Sequence, residues 1–508
     1  MNRIISIKLF IIVSCLLTLP FSAFAQLSPQ EAIAQMACGI NLGNTLEPPT
    51  EGGWNNGPAQ EYYFDDYKRA GFKCVRVPVR WDNYTAQEVP FTIEKSWMDR
   101  IEQIVDWGLE RDMFIIINSH HDDWIKQDYA NAVYRARFDS IWSQIAVRFQ
   151  DKSERLLFEI INEPQGMTRE EVDELNARII SIIRRTNPTR IIVFSGNGWS
   201  SADDLVAAAI PNDSYLMGYF HSYDPWSFAG EGIGTWGTPT DRMELKARFK
   251  KVSDWSKLNN IPVMISEFGT VKICDYNSRM LHYNAYVEES LFFGLAFQVW
   301  DDGGDFGIYL REAGDWTEVK DILVLADLKS PYLLRTQIQN DTTITLSWLN
   351  RSADYIDILV ERKTANTRFE VIAELPGNSS QFRDTDLKPD ETYYYRVIAG
   401  AADGDDISSY PHSVYLPAAT AISPRQQKIS MKIYPNPAGS ELTISQNDFP
   451  GNGEIELFNT LGQRVLRTNM YGSTTTLRIG HLPVGAYFLR VRVRDKIVAQ
   501  KMILKQDR

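Results

Sequence analysis

The sequence predicts an α/β protein: a (β/α)8 barrel of the TIM type, followed by two all-β sandwich modules. Three observations carry this. Between residues 37 and 302, eight apolar stretches alternate with longer amphipathic ones, the pattern of parallel βαβ units. Every apolar stretch closes on polar or aromatic residues, as barrel strands do where they deliver groups to one rim. Past residue 328 the chain turns to short, Thr/Ser-rich β segments at regular spacing, which suits sandwiches. An open doubly wound sheet shares the alternation, but no glycine-rich phosphate loop follows the first strand.

Taken in order, residues 1–25 read as a secretory signal peptide. Arg3 and Lys8 form a basic start, 9–19 are apolar, and Ala23-Phe24-Ala25 is an A-x-A cleavage site. The apolar run is too short to span a membrane. Cys15 after Ile12-Val13-Ser14 would suit a lipid-modified N-terminus, but too little apolar sequence precedes it. Cleavage leaves Cys38, Cys74 and Cys274, an odd number that cannot all pair internally; Cys38 and Cys74, at the starts of neighbouring strands, read as buried free thiols.

The barrel is expected over 26–327. Its strands are ACGINLGN (37–44), KCVRVPVRW (73–81), MFIIINSHH (113–121), LLFEIINE (156–163), RIIVFSGNGW (190–199), YLMGYFHSY (215–223), IPVMISEFG (261–269) and GLAFQVWDD (294–302). Helices are expected between them at 59–70, 95–111, 131–150, 169–185, 201–210, 241–258 and 276–291; the first closes on a glycine cue, Arg69-Ala70-Gly71. A β-sandwich follows at 328–417, a polar linker at 418–428 and a last β module at 429–508.

Composition narrows the function. A net charge of −12 argues against a nucleic-acid partner, which would want a basic face. Aromatics reach 12%, including 13 Trp; most of these read as core, and the rest suit a surface that stacks on sugar rings. Adjacent strand residues point to opposite faces, so His120 and His121 would not easily share a metal ion. Asp301, Asp302 and Asp305 lack the full calcium-loop pattern. No metal or cofactor is expected.

Two strand ends carry carboxylates, Asn162-Glu163-Pro164 on the fourth strand and Ser266-Glu267-Phe268 on the seventh. From these positions both can reach toward a common centre across the mouth. A pair of carboxyl groups is what glycoside hydrolysis needs, one protonated as acid and one ionised as nucleophile.

With VRVPVRW, NSHH, INEP, YFHSYDPWSF, ISEFG and VWDDGGDFG in order, residues 36–327 resemble glycoside hydrolase family 5, and NLGNTLE resembles its subfamily 4. The resemblance implies a retaining endo-β-1,4-glucanase acting on cellulose, mixed-linkage glucan or xyloglucan. Xylan or mannan at the same site, or a silent glycan-binding protein, are the alternatives. It implies Glu163 as acid/base and Glu267 as nucleophile, with Arg76 holding Glu267 ionised. His120 and Asn162 would bind at the cleavage site, Asn162 toward the sugar 2-OH. His221 and Tyr223 would sit beside the two carboxyls, Trp300 would lie under the sugar, and Asn44 and His121 look like further sugar contacts.

Leu387-Lys388-Pro389 before Thr392-Tyr393 resembles the tyrosine corner of a fibronectin type III module, with Trp348 at its core; no aromatic strip marks it as a sugar binder, so it reads as a spacer. IYPNP (433–437), IELFNTLGQRV (455–465) and LPVGAYFLRV (482–491) resemble the C-terminal sorting domain of type IX secretion cargo. That implies the type IX machinery as a partner and an extracellular or outer-surface location. A monomer with no transmembrane segment is expected.

Overall fold

A computed structural model describes residues 26–401, 406–418, 431–446, 453–459, 464–470, 472, 474–493 and 496–506. The expected signal peptide, nearly all of the expected linker, and 460–463 of the last β module lie outside the described residues.

Eight parallel strands close a barrel in chain order: β1 Cys38–Asn41, β2 Cys74–Val77, β3 Phe114–Asn118, β4 Leu156–Glu159, β5 Ile192–Phe194, β6 Leu216–His221, β7 Val263–Glu267 and β8 Ala296–Val299. β1 closes onto β8 with Gly39 opposite Gln298. All eight expected strands form, but they are shorter than the apolar stretches suggested. β4 stops at Glu159 rather than Glu163: Ile160 N still reaches Val193 O at 3.1 Å, and Asn162 N turns to Ser119 O at 2.8 Å. Past that point the backbone serves the rim, not the ladder.

The lower interior is filled by Cys74, Phe114, Ile116, Leu157, Val193, Met217, Met264 and Ala296. Ala32 and Met36 join this cluster from a helix the sequence reading missed, Pro29–Met36, which stoppers the end opposite the rim. Apolar faces of the outer helices cover the barrel, Ile101, Ile104 and Val105 of Lys95–Leu109 among them. Local signals set the helix ends. Thr168 with Glu171, and Thr238 with Asp241, form capping boxes, and Gly71 ends Glu61–Ala70 at φ 113°, a left-handed position that favours glycine. Cys38 and Cys74 are free and buried, as expected, and so is Cys274.

The sandwich stacks one sheet of Tyr332–Asn340, Thr343–Leu349 and Gln381–Asp384 on another built around Tyr355–Thr364 and Glu391–Ala401. Trp348 and Tyr395 are buried between them. The tyrosine corner is present: Tyr393 OH accepts from Lys388 N at 2.8 Å and donates to Lys388 O at 3.0 Å. This module is no free spacer, because it packs on the barrel's outer helices. Tyr410 of the sandwich lies within the barrel's own buried cluster. The chain divides into two compact units, Met1–Pro417 and Ala418–Arg508. The second is a separate β-sandwich of sheets built on Glu441–Gln446 and on Gly453–Phe458 with Gly485–Val493, with Leu442, Ile455, Leu489 and Ile503 in its core. Among the described residues, no helix is long and apolar enough to cross a membrane.

Candidate active site

The rim is organised around Arg76 on β2, fully buried, with every donor on its fork engaged. Nε and Nη2 grip Glu159 of β4 at 2.7 and 2.6 Å. Nη1 donates to Glu267 of β7 at 2.5 Å and to Asn41 of β1 at 2.9 Å, and Nη2 also reaches Asn162 at 2.8 Å. A buried guanidinium is tolerable only when paired and hydrogen-bonded to this extent. Burial works against its charge, but Glu159 and Glu267 overcome that and hold it protonated.

Glu159 was missed in the sequence, as were Asn41 and Asn118. The signal was present: a Glu inside LLFEII and an Arg inside CVRVPV are each costly in an apolar strand unless they meet.

Glu267 ends β7, where Tyr223 OH donates to its other oxygen at 3.0 Å. Burial, then the neighbouring Glu267 and Glu163, hold the Tyr223 phenol protonated, so it stays a donor. Glu163 sits four residues beyond β4 at φ 42°. This left-handed backbone is strained for a residue with a Cβ, and strain of this kind gathers where geometry is used. His221 Nδ1 lies 2.9 Å from Glu163 and 3.6 Å from Glu267. One atom from each of the three groups falls within 4.8 Å of the others, close enough that the trio could also hold a metal ion.

Burial raises the Glu267 carboxyl against the pull of His221 and Arg76. Burial raises Glu163 as well, but the bond to His221 and the charge of that ring draw it below the usual carboxylate range. Arg76 bears on Glu267 directly, at 2.5 Å, whereas Glu163 feels Lys126 and Arg76 from farther away.

Asn162 presents its oxygen to Arg76, which has only donors, so its NH2 is left to donate toward a ligand. Asn118 Oδ1 accepts from Val79 N at 3.1 Å, which turns its NH2 to Glu159 at 2.9 Å and to His120 Nδ1 at 3.2 Å. His120 Nδ1 therefore accepts, and its proton sits on Nε2. Burial keeps that ring neutral. Trp300, just past β8, lies parallel to His120 within 10°, with ring centres 6.1 Å apart. His121 is pushed down to about 4 by burial and meets Trp54 edge-on at 5.5 Å. Asn44 is the outlier of the expected set. At φ 53° on the loop after β1, it donates to Asn55 at 3.0 Å, and its N–H is held by Glu47. It belongs to a rim network with Asn55, Asn56 and the Asp302 carbonyl, not to the Arg76 cluster.

Residues 38–303 match the family described as Cellulase (glycosyl hydrolase family 5). The chain belongs to glycosyl hydrolase family 5. Residues 432–505 match the secretion system C-terminal sorting domain. Endoglucanase H of Acetivibrio thermocellus is 49% identical over 302 residues, which is 58% of this chain and 33% of that protein. Cellulase/esterase CelE of the same organism is 33% identical over 54% of this chain and 37% of its own length. The chain thus spans about a third of these curated relatives. A solved GH5-4 broad specificity endoglucanase from Clostridium acetobutylicum is 30% identical, with 58% of this chain and 98% of that one covered and a TM-score of 0.55. Thermotoga maritima Cel5A, solved with mannotriose, is 29% identical, with 58% of this chain and all of that chain covered and a TM-score of 0.56.

Proposed function

We propose that this chain is an exported endo-β-1,4-glucanase that cleaves with retention of configuration. The carrying observation is the pair Glu163 and Glu267, with an oxygen from each within 4.8 Å at the C-terminal mouth of the barrel. Inverting enzymes hold their carboxyls about 6.5–9.5 Å apart to admit a water, and retaining ones about 5–5.5 Å.

In the first step a Glu267 oxygen bonds to the anomeric carbon as the glycosidic C–O bond breaks. Glu163 gives its proton to the leaving oxygen. Asn162 and His120 Nε2 donate to the sugar's hydroxyls, and Trp300 backs its C–H face. Esterification removes the Glu267 charge that opposed ionisation of Glu163, so Glu163 can now act as base. It takes a proton from water, the resulting oxygen attacks the anomeric carbon, and the ester to Glu267 breaks. Arg76 and Tyr223 stabilise the carboxylate as it leaves.

Trp54, Trp199 and Trp226 are exposed on loops after β1, β5 and β6. Flat apolar faces along an open rim suit a long β-1,4-glucan chain bound internally. Cellulose, mixed-linkage glucan and xyloglucan are the β-glucans we assign as candidate substrates, in line with relatives named endoglucanases, one of them of broad specificity; the mannotriose bound by the Thermotoga protein supports including glucomannan in the tests. The sorting domain and the expected signal peptide support export to the cell surface or beyond.

The test is initial rates on carboxymethyl cellulose, mixed-linkage glucan, xyloglucan, xylan and glucomannan, with Glu267→Ala as control. Turnover of a glucan, lost in the control, is expected. Binding to all five without turnover would leave a glycan-capture protein.

A further inference from the structure

We propose that the sandwich 332–416 braces the active site, acting through the helix Tyr276–Phe293. This rests on the reading of Glu267 as nucleophile.

That helix has two working faces. Its outer face holds the sandwich. Asn277 donates to Ser413 O at 3.0 Å and accepts from Ser413 N at 2.7 Å, so a side-chain amide pairs with a strand backbone as a neighbouring strand would. Glu288, 9% exposed, accepts from Arg351 Nη1 at 2.7 Å. The Arg351 guanidinium in turn lies 3.9 Å over the Tyr332 ring. Residues 277 and 288 stand three turns apart on one face.

The inner face holds the nucleophile's surroundings. Tyr283 OH accepts from Thr270 N at 3.0 Å. The Tyr286 ring stacks parallel on Phe268 with centres 5.4 Å apart, and its hydroxyl bonds Ser222 Oγ at 2.9 Å. Phe268 directly follows Glu267, and Ser222 directly precedes Tyr223. One helix therefore joins the sandwich to both sides of the Glu267–Tyr223 bond.

A second set of contacts holds the chain beyond Trp300. Lys363 and the Tyr276 hydroxyl reach Glu318 at 3.3 and 2.7 Å, and Arg396 pairs with Asp321. A helix gripped on one face only can slide, and a misplacement of about 1 Å at a reacting group costs about 100-fold in rate. The sandwich supplies the grip on the other face.

The test uses the mature full-length chain, comparing wild type, Asn277→Ala, and Asn277→Ala with Arg351→Met. Circular dichroism first shows each to be folded, and kcat and KM are then measured on carboxymethyl cellulose well below the first unfolding transition. The double variant is expected to lose about tenfold in kcat with KM within about twofold. The single variant should fall between, and replacing Arg351 by Lys instead of Met should restore part of the loss. Calorimetry should show barrel and sandwich melting together. Unchanged kcat in both folded variants, or a sandwich that melts first while turnover persists, would overturn the brace. Glu267→Ala separates the two readings: if it abolishes turnover while the double variant matches wild type, the brace alone fails; if it keeps turnover, the nucleophile assignment fails.

Discussion

Arg76→Met keeps much of the side chain's volume and removes its charge and its fork. In the native site that fork holds Glu159 at 2.6 Å and Glu267 at 2.5 Å, all with side chains at most 6% exposed. The substitution leaves two buried carboxyls without a cation. Breaking a buried pair in this way costs about 3–5 kcal/mol. That corresponds to a fall in Tm of roughly 5–15 °C for a domain of this size.

The sign of the pH effect follows from the same geometry. Arg76 lowers Glu267, so its loss lets burial raise that carboxyl further. The nucleophile must be ionised, so the acidic limb of kcat/KM moves to higher pH, by about 1–3 units for loss of an adjacent arginine. The assay is kcat/KM against pH on an aryl cellobioside with a good leaving group, which does not need the acid. Arg76→Lys should give a smaller shift, because it keeps the charge without the bidentate fork. An acidic limb in Arg76→Met that coincides with wild type would refute the reasoning.

Other expectations follow from the same cluster. Glu163→Ala should lose about 100- to 10,000-fold on polysaccharide, yet keep bond cleavage on a dinitrophenyl glycoside, as read by a burst of the phenol. Tyr223→Phe removes the 3.0 Å bond to Glu267 and should lower kcat about tenfold while the chain stays folded, as circular dichroism would check. Glu159→Gln should lower Tm by several degrees although Glu159 faces no substrate, because Arg76 loses one of its two anionic partners; a thermal scan reads it. His221→Asn removes the ring that lies against Glu163 at 2.9 Å, so Glu163 should titrate higher and the alkaline limb of kcat/KM should move up.

The barrel was legible because each strand is apolar on both faces and ends in a polar tip, a pattern that parallel strands covered by helices produce. The carboxyl pair was legible because INEP and ISEFG leave Glu where an apolar strand runs out. What the sequence hid was the inner layer. Glu159 looked like one residue of a strand, and only closure of the ring carries it to Arg76, 83 positions away. The tip itself was misjudged by four residues, since β4 ends at Glu159 and Glu163 lies beyond it in left-handed backbone. Asn44 was legible as a residue at the end of the first strand, but not its hold by Glu47 and Asn55 within the rim loops. The sandwich read as a spacer because it carries no aromatic strip; its contacts with the barrel, Asn277 with Ser413 and Glu288 with Arg351, join residues far apart in the chain.

The central claim is that Glu267 carries the sugar. A 2-deoxy-2-fluoro-β-cellobioside with a dinitrophenolate leaving group slows release of the covalent intermediate, and peptide mass spectrometry locates it. The account predicts one sugar per chain on the peptide containing Glu267, with no label in Glu267→Ala. A label on any other residue, or no label with a first product of inverted configuration, would contradict it.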